Sequence, residues 1–364
     1  MADRTDVTFV LPGLVQSGGV RAVFEIANRL RDSGRDAAIL IPERSILSPR
    51  RSLAGVAERV APKALLPLVQ RFAPRRPVSQ SWFGSSVPLI VAGAPLWKDI
   101  PPSRAIVATS WRTAQEVLRS PEVTACGVYF VQHYETWSGP ARRVDATWRA
   151  FNRVVVSSEW LRQMARDRFG KNGVGLAPYG VDLATFRPGT PPGTGTVGFM
   201  HDDREWKGGA DMLRALEAVR ARREIRAEAF GLGTRPLPEW VRLHGRLSRG
   251  ALADFYRSLD LFVSASWVES GPMTLPEAMA CGVATVSTDV GNVRLWAPHG
   301  ECRIVPPRDP AALASAIEGL LADADERARL AEAGRAAIQS FTWERTARDF
   351  EDALVTFGLL EERI

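Results

Sequence analysis

Short apolar runs alternate with helical patterns along most of this chain. It opens with Val7–Leu11, then a glycine-rich turn through Pro12-Gly13 and Ser17-Gly18-Gly19. Val20–Arg31 follows, with apolar residues at Val23, Ile26, Ala27 and Leu30. Steps of three, one and three put those four on one helix face, so strand, glycine turn and helix succeed one another. Further short strands are predicted at Ala37–Ile41, Pro88–Ala92, Ala105–Thr109, Val128–Gln132 and Arg153–Val156. From Pro178 to Pro192 the chain is rich in Pro and Gly and reads as a linker. A second series begins at Thr196–Met200, with helices over 207–222, 248–258 and 275–280 and strands at Ala227–Phe230, Leu261–Ser264 and Ala284–Ser287. From Pro310 the composition turns to Ala, Arg, Glu and Leu, which predicts helix to near the end. Such alternation builds parallel sheets of βα units, here two doubly wound α/β domains. Ligands of such sheets bind beyond the carboxyl ends of the strands, so a cleft between the two domains is the expected site.

Composition agrees with that picture. The chain has 364 residues, 45% apolar and 24% charged, which suits two soluble domains rather than a disordered segment. The net charge is +6, a mild excess that fits an anionic ligand, an anionic membrane surface or nucleic acid and selects none of them. No secretory signal is expected from the opening residues, and the apolar runs are too short and interrupted for a membrane span. Cys126, Cys281 and Cys302 are far apart and odd in number, against a disulfide framework and consistent with a reducing cytoplasm. His133, His201, His244 and His299 show no paired metal-ligand spacing, so no metal site is expected. The stretch 48–78 carries seven basic residues between Arg50 and Arg76 against one acid, Glu58. It reads as a solvated insertion or, less favoured, as an amphipathic surface on an anionic membrane or around a phosphorylated acceptor.

The richest chemistry lies in Ser266-Trp-Val-Glu-Ser-Gly-Pro-Met-Thr-Leu-Pro-Glu-Ala-Met-Ala-Cys-Gly282, after a strand and into a helix. Glu269 and Glu277 flank a Gly271-Pro272 turn. A turn feeding a helix N-terminus offers backbone N–H groups to a phosphate, and a carboxylate there can accept from sugar hydroxyls. The structural alternatives are plain. Thr274-x-x-Glu277 is also a capping box, and Gly271-Pro272 is also an ordinary turn. From the residues alone, the two readings of Glu277 are even.

The spacing of Glu269 and Glu277, followed by Ala278-Met279-Ala280-Cys281-Gly282, resembles the donor-site motif of retaining GT-B glycosyltransferases of the family 4 type. Asp260-Leu-Phe-Val-Ser-Ala-Ser266 before it and Val286-Ser287-Thr288-Asp289-Val290-Gly291 after it continue the resemblance. Looser matches are Gly18-Gly19-Val20, Val154–Leu161, Pro178-Tyr-Gly-Val-Asp182, Phe186-Arg-Pro188 and Trp206-Lys207-Gly208. Val131-Gln-His-Tyr-Glu135 is weakly similar to rhamnosyl-transferring members.

The resemblance implies roles residue by residue. Glu277 would bind the ribose and Glu269 hydroxyls of the donor sugar. The backbone around Gly271, Pro272, Met273 and Thr274 would hold the phosphates. Lys207 would neutralise the diphosphate as the bond to the sugar breaks; otherwise it is an exposed lysine at a helix start. Relatives have an arginine six positions before this lysine, where this chain has His201. Arg204 either substitutes for it or leaves the second positive charge missing. His133 would sit near the donor sugar, or else be a partly buried histidine bonded to backbone. Gly18 and Gly19 would border the cleft, and Gly245, Arg246 and Leu247 the nucleobase, unless the latter three are simply a loop.

The whole-chain expectation is therefore GT-B: two doubly wound Rossmann-like domains facing across a cleft, with a C-terminal helix crossing back. Residues 1–187 would bind the acceptor, 188–342 the donor, and 343–364 would return to the first domain. The implied reaction is retaining transfer from a UDP- or dTDP-sugar to a hydroxyl of a glycan, lipid-linked or natural-product acceptor. It would need no metal or other cofactor and no nucleic acid, and would occur in the cytoplasm, with membrane contact through 48–78 as an open question. Other enzymes on the fold, an epimerase or a sugar phosphorylase, and a non-catalytic binding protein are the alternatives. No Gly-x-Ser-x-Gly elbow supports a nucleophilic triad, and Gly231-Leu-Gly233 lacks the third glycine of a dinucleotide fingerprint.

Overall fold

The structure, a computed structural model, describes residues 4–14, 17–43, 85–190 and 192–363. The basic stretch 48–78 lies outside the described residues. The strands are β1 (Thr5–Val10), β2 (Ala37–Pro42), β3 (Leu89–Ala92), β4 (Ser103–Ala108), β5 (Gly127–Val131), β6 (Val154–Val156), β7 (Gly175–Leu176), β8 (Thr196–His201), β9 (Arg226–Gly231), β10 (Val241–Leu243), β11 (Leu261–Ser264), β12 (Ala284–Thr288) and β13 (Arg303–Val305). They form one seven-stranded sheet, β3-β2-β1-β4-β5-β6-β7, and one six-stranded sheet, β10-β9-β8-β11-β12-β13. The chain divides into two compact units. The first holds Met1–Val155, Lys171–Gly175 and Phe350–Ile364, and the second holds Val156–Gly170 and Leu176–Asp349. Both are Rossmann-like.

In the first unit β1 runs parallel to β2 and to β4, with Val7 in register with Ala37 on one side and Ala105 on the other. Strands covered on both faces read as continuous apolar runs, and Ala37–Ile41 is buried at every position. The helix Gly18–Asp32 starts where the Ser17 hydroxyl accepts from the Val20 N–H at 3.4 Å. It buries Val23, Ile26 and Leu30. Phe350, on the helix Trp343–Thr356, packs its ring against Phe9 at 5.5 Å and Phe130 at 5.2 Å.

In the second unit β8 is flanked by β9 and β11, both parallel to it. Val197, Phe199, Leu261, Val263 and Val286 meet Met212 and Leu216 of the helix Gly209–Arg220 and Leu313 and Ile317 of the helix Pro310–Ala322 in one core. The stretch after Pro178 forms no regular element but is packed inside this unit. Val181 bridges Thr342, and Asp182 accepts from Arg249 at 2.7 Å. No described helix is long and apolar enough to cross a membrane.

Two departures from the sequence expectation have simple causes. The helix expected from 207 begins at Gly209, because Gly208 adopts φ +69°, left-handed backbone, and Glu205–Lys207 forms a 3-10 turn instead. The short strands β7, β10 and β13, of two or three residues, were not expected. Val241-Arg242-Leu243 holds too few apolar positions to register as a period.

The topology already points to a place in each unit. In the first, strand order reverses between β1 and β4. In the second it reverses between β8 and β11. Ligands of doubly wound sheets bind at the carboxyl ends of the strands flanking that switch point.

Candidate active site

At the switch point of the second unit, the loop after β8 carries Arg204 and Lys207, and the loop after β11 carries Glu269. The Lys207 ammonium forms an ion pair with Glu269 Oε1, the two side chains being only 12% and 10% exposed. Ser266 Oγ donates to the same oxygen at 3.1 Å. Lys207 is thus a largely buried partner of Glu269, not the exposed lysine of the bland alternative.

Backbone packing fixes both loops. At Gly208 an added Cβ would run into the carbonyl oxygen of Ala265. At Gly291, φ +51°, it would run into the carbonyl oxygen of Ser270. Only glycine allows those approaches. Thr288 Oγ1 donates to the Ser266 carbonyl at 2.5 Å, tying the end of β12 to the same loop. Ser270 Oγ lies 2.7 Å from Ser157 Oγ, and the buried Asn292 donates to the Ser157 carbonyl at 2.8 Å.

Gly271, Pro272, Met273 and Thr274 lead into the helix Thr274–Ala280, whose N-cap is Met273 with no side-chain capping bond. That removes the capping-box reading of Thr274 and Glu277. Glu277 is buried, and its Oε2 instead accepts from Tyr256 Oη at 3.1 Å. A carboxylate buried at 3% exposure, within one turn of the loop carrying Glu269, is suited to holding ligand hydroxyls.

His201, at the end of β8, is buried, and its Nε2 lies 3.0 Å from the Arg235 carbonyl oxygen. It occupies the position where the resemblance leads one to expect an arginine, and it is held within the unit by that contact. Arg204 lies three residues further on, and its Nε and Nη2 donate to both oxygens of Asp202 at 2.8 and 2.6 Å. Burial alone would raise the Asp202 carboxyl, but these hydrogen bonds, with the nearby charges of Arg204 and Lys207, bring it below its ordinary value. The bond to Asp202 raises the Arg204 guanidinium in turn, and Glu269 adds to the effect. Four charges therefore share the switch point. Gly245, φ +66°, accepts from the Gly231 N–H at 2.8 Å, so Gly245, half-buried Leu247 and exposed Arg246 lie past the ends of β9 and β10.

The remaining expected residues are in the first unit, near its own switch point. A Cβ on Gly19 would lie 3.2 Å from the Gln132 side chain, and Gly18 begins the same helix. His133 is half-buried, with its ring edge-on to Trp137 at 4.3 Å. Glu135 follows two residues after His133. Its carboxylate accepts from the Trp111 N–H at 2.7 Å. Burial pushes its pKa to about 7, against the pull of that bond and of Arg112. A carboxylate that far from its ordinary range is a signal of environment that sequence cannot carry. Among the described residues, no group of three or more His, Cys, Asp or Glu could hold a metal ion. All three cysteines are buried free thiols.

Comparison with known proteins places the chain among glycosyltransferases. The model of the glycosyl transferases group 1 family matches residues 191–323, which contain Arg204, Lys207, Glu269 and Glu277. The chain is 32% identical over 238 residues to the D-inositol 3-phosphate glycosyltransferase of Xylanimonas cellulosilytica, covering 53% of this chain and 56% of that one. It is 26% identical over 262 residues to the O-antigen biosynthesis protein RfbC of Myxococcus xanthus, 67% of this chain and 20% of that one. The chain thus spans about half the length of the inositol-phosphate relatives it matches. In fold it is similar to sucrose-phosphate synthase from Thermosynechococcus elongatus, with TM-score 0.73, 17% identity and coverage of 98% and 99%. It is also similar to Anabaena HepE solved in complex with UDP, with TM-score 0.71, 16% identity and coverage of 97% and 100%. Both are glycosyltransferase structures of the GT-B fold, which this chain shares.

Proposed function

From a chain whose residues 191–323 match the model of the glycosyl transferases group 1 family, we propose that the protein moves a sugar from a nucleoside-diphosphate sugar to an acceptor hydroxyl, with retention at the sugar carbon. One observation carries this reading. The ion pair of Lys207 and Glu269 sits at the switch point of the second sheet, beside the turn Gly271–Thr274 and the buried Glu277.

In this reading the donor diphosphate lies against Lys207, Arg204 and the backbone from Gly271 to Thr274. Lys207 supplies a positive charge where negative charge develops as the bond between the sugar carbon and the phosphate oxygen breaks. Glu277 holds the ribose hydroxyls, Glu269 hydroxyls of the sugar, and Gly245, Arg246 and Leu247 edge the base. His133 and the Gly18-Gly19 turn are the first unit's candidate residues for sugar and acceptor. The acceptor oxygen bonds to the sugar carbon on the face the phosphate leaves, and its proton passes to the departing phosphate oxygen. Lys207 takes the part that a cation plays elsewhere, so no metal is required. UDP or dTDP is the favoured nucleotide, since fold neighbours bind UDP. The names of the curated relatives make D-inositol 3-phosphate the first acceptor to try, beside glycan and lipid-linked hydroxyls.

The test is thermal unfolding with UDP, dTDP, GDP and ADP in turn, for wild type and Glu277→Ala. A nucleotide at a hundred times its dissociation constant adds about 2.7 kcal/mol. That raises the melting temperature by roughly 3–4 °C for a chain of this size unfolding as one unit, and by roughly 5–10 °C where the second unit unfolds by itself. A shift with one nucleotide that the variant loses supports the donor site. No shift in the wild type overturns it. Nucleotide release that depends on acceptor and persists in EDTA separates transfer from epimerisation and from passive binding.

A further inference from the structure

Trp267 lies in the loop after β11, two residues before Glu269, and it bonds to the chain on both sides of Lys207. Its backbone N–H donates to the Trp206 carbonyl at 2.7 Å, immediately before Lys207. Its indole Nε1–H donates to Asp211 Oδ2 at 2.6 Å, in the first turn of the helix that follows Lys207. Asp211 is a buried carboxylate, 3% exposed, and is paired also with Arg214. The outer face of the indole carries the Arg308 guanidinium, 4.4 Å from the ring centroid. Arg308 itself holds φ +62°, a left-handed backbone that a side chain other than glycine's seldom adopts.

The segment bearing Lys207 is therefore gripped on both sides by one residue, at Trp206 and at Asp211, while Gly208 lies against the Ala265 carbonyl. Glu269 is two residues beyond Trp267 on the same loop. A rigid indole bonded through a charged acceptor fixes the distance between the two loops more firmly than a flexible contact does. Lys207 has four rotatable bonds, so the position of its Cα decides whether the ammonium reaches its partner.

We propose that Trp267 and Asp211 are positioning residues for Lys207: together they hold its segment so that the ammonium stays at Glu269 and, once the donor is bound, at the diphosphate. This rests on reading Lys207 as the diphosphate's counter-charge. Neither residue touches the reacting atoms. Trp267 acts through its N–H and Asp211 through its carboxylate, and Arg308 covers the indole face.

The experiment is a double-mutant cycle on nucleotide binding, with UDP as the probe, or whichever of dTDP, GDP and ADP stabilises the wild type more. Trp267→Phe keeps an aromatic ring and removes the N–H donor. It should weaken nucleotide binding roughly five- to twentyfold in the wild-type background and less than about twofold in a Lys207→Ala background, a non-additivity of the size residues of one network show. Asp211→Ala should behave the same way with Trp267 intact, and decides the matter if Trp267→Phe does not fold by circular dichroism. Equal losses in both backgrounds mean that Trp267 is merely structural and overturn the proposal. So does an unchanged affinity in Trp267→Phe, or failure of both variants to fold. A wild type that binds none of the four nucleotides brings down the donor-site reading itself, which is a different result from an additive cycle.

Discussion

The two units share a plan and differ in how they hold the ends of their strands. In the second unit the switch point is packed with charge: Asp202, Arg204, Lys207 and Glu269, with loops pressed together at Gly208 and Gly291. In the first, the same region holds Gly19 beside the Gln132 side chain and His133 against Trp137. In the second unit the two glycines meet backbone carbonyls, and in the first Gly19 meets only a side chain. A site built on carbonyl contacts accepts one geometry only, as suits a constant chemical group such as a diphosphate. A site lined by movable side chains can be re-shaped, as suits a partner that varies between relatives.

Alanine at one glycine in each unit should expose that contrast, and this is the largest effect expected. At Gly208 the new methyl meets the Ala265 carbonyl, and the backbone is left-handed at φ +69°. The left-handed conformation costs about 1–2 kcal/mol for such a residue, and the displaced backbone adds about 1–3 kcal/mol. Gly208→Ala should therefore lose about 3 kcal/mol or more in urea unfolding and lose nucleotide binding with it. At Gly19 the methyl meets only the end of Gln132, at 3.2 Å, within a helix. Alanine favours a helix over glycine by up to about 1 kcal/mol, so Gly19→Ala should fall within about 0.5 kcal/mol of the wild type or above it. A costly Gly19→Ala beside a mild Gly208→Ala would break the comparison.

Sequence reasoning served the two units unequally, for the same physical cause. Strand and helix cores were legible throughout, because Ala37–Ile41 and Leu261–Ser264 are apolar runs that nothing else explains. Glu269, Glu277 and Lys207 were legible because their spacing resembles a known motif, and the structure brings Lys207 to Glu269 across 62 residues. What stayed hidden depends on contacts between distant segments. The burial of His201 against Arg235 is one case, and the Trp267 bond to Asp211 is another. The absence of a capping bond at the start of the helix Thr274–Ala280, and the bond of Glu277 to the Tyr256 hydroxyl 21 positions away, are two more. In the first unit the most perturbed carboxylate, Glu135, carries no local signature at all.

Glu135 sharpens the comparison through pH, with the next largest effect. Its pKa rises from an ordinary 4.5 to about 7 because it is buried. The folded protein then holds the proton more tightly than the unfolded chain. Below pH 4.5 both states are protonated and nothing is lost. Between that value and about 7 the native state is progressively disfavoured, and above it the loss is complete. Stability should drop between pH 5 and pH 8 by up to about 3 kcal/mol from this group. Glu135→Gln keeps an acceptor for the Trp111 N–H and removes the charge. Urea unfolding of wild type and variant at four pH values should give a difference that grows with pH in the variant's favour. A flat difference would mean that the first unit solvates Glu135 as water does.

The smallest effect concerns the two cations of the second unit. Arg204 and Lys207 both face carboxylates, but the Arg204 side chain is 48% exposed and Lys207 only 12%. Exposed charges are screened by salt within about 8–10 Å, whereas buried pairs are screened much less. Arg204→Ala should weaken nucleotide binding about threefold to fivefold at 50 mM salt, near 1 kcal/mol, and by less at 500 mM. Lys207→Ala should cost more at both concentrations and depend less on salt. Titration calorimetry of the two variants at the two salt concentrations gives the comparison directly. If Arg204→Ala proves as severe as Lys207→Ala and equally indifferent to salt, then Arg204 has taken over fully from the arginine that His201 replaces. The bond to Asp202 would then be what aims it. If Arg204→Ala binds as the wild type does at every salt concentration, the site runs on a single cation and the second positive charge has been lost from this chain.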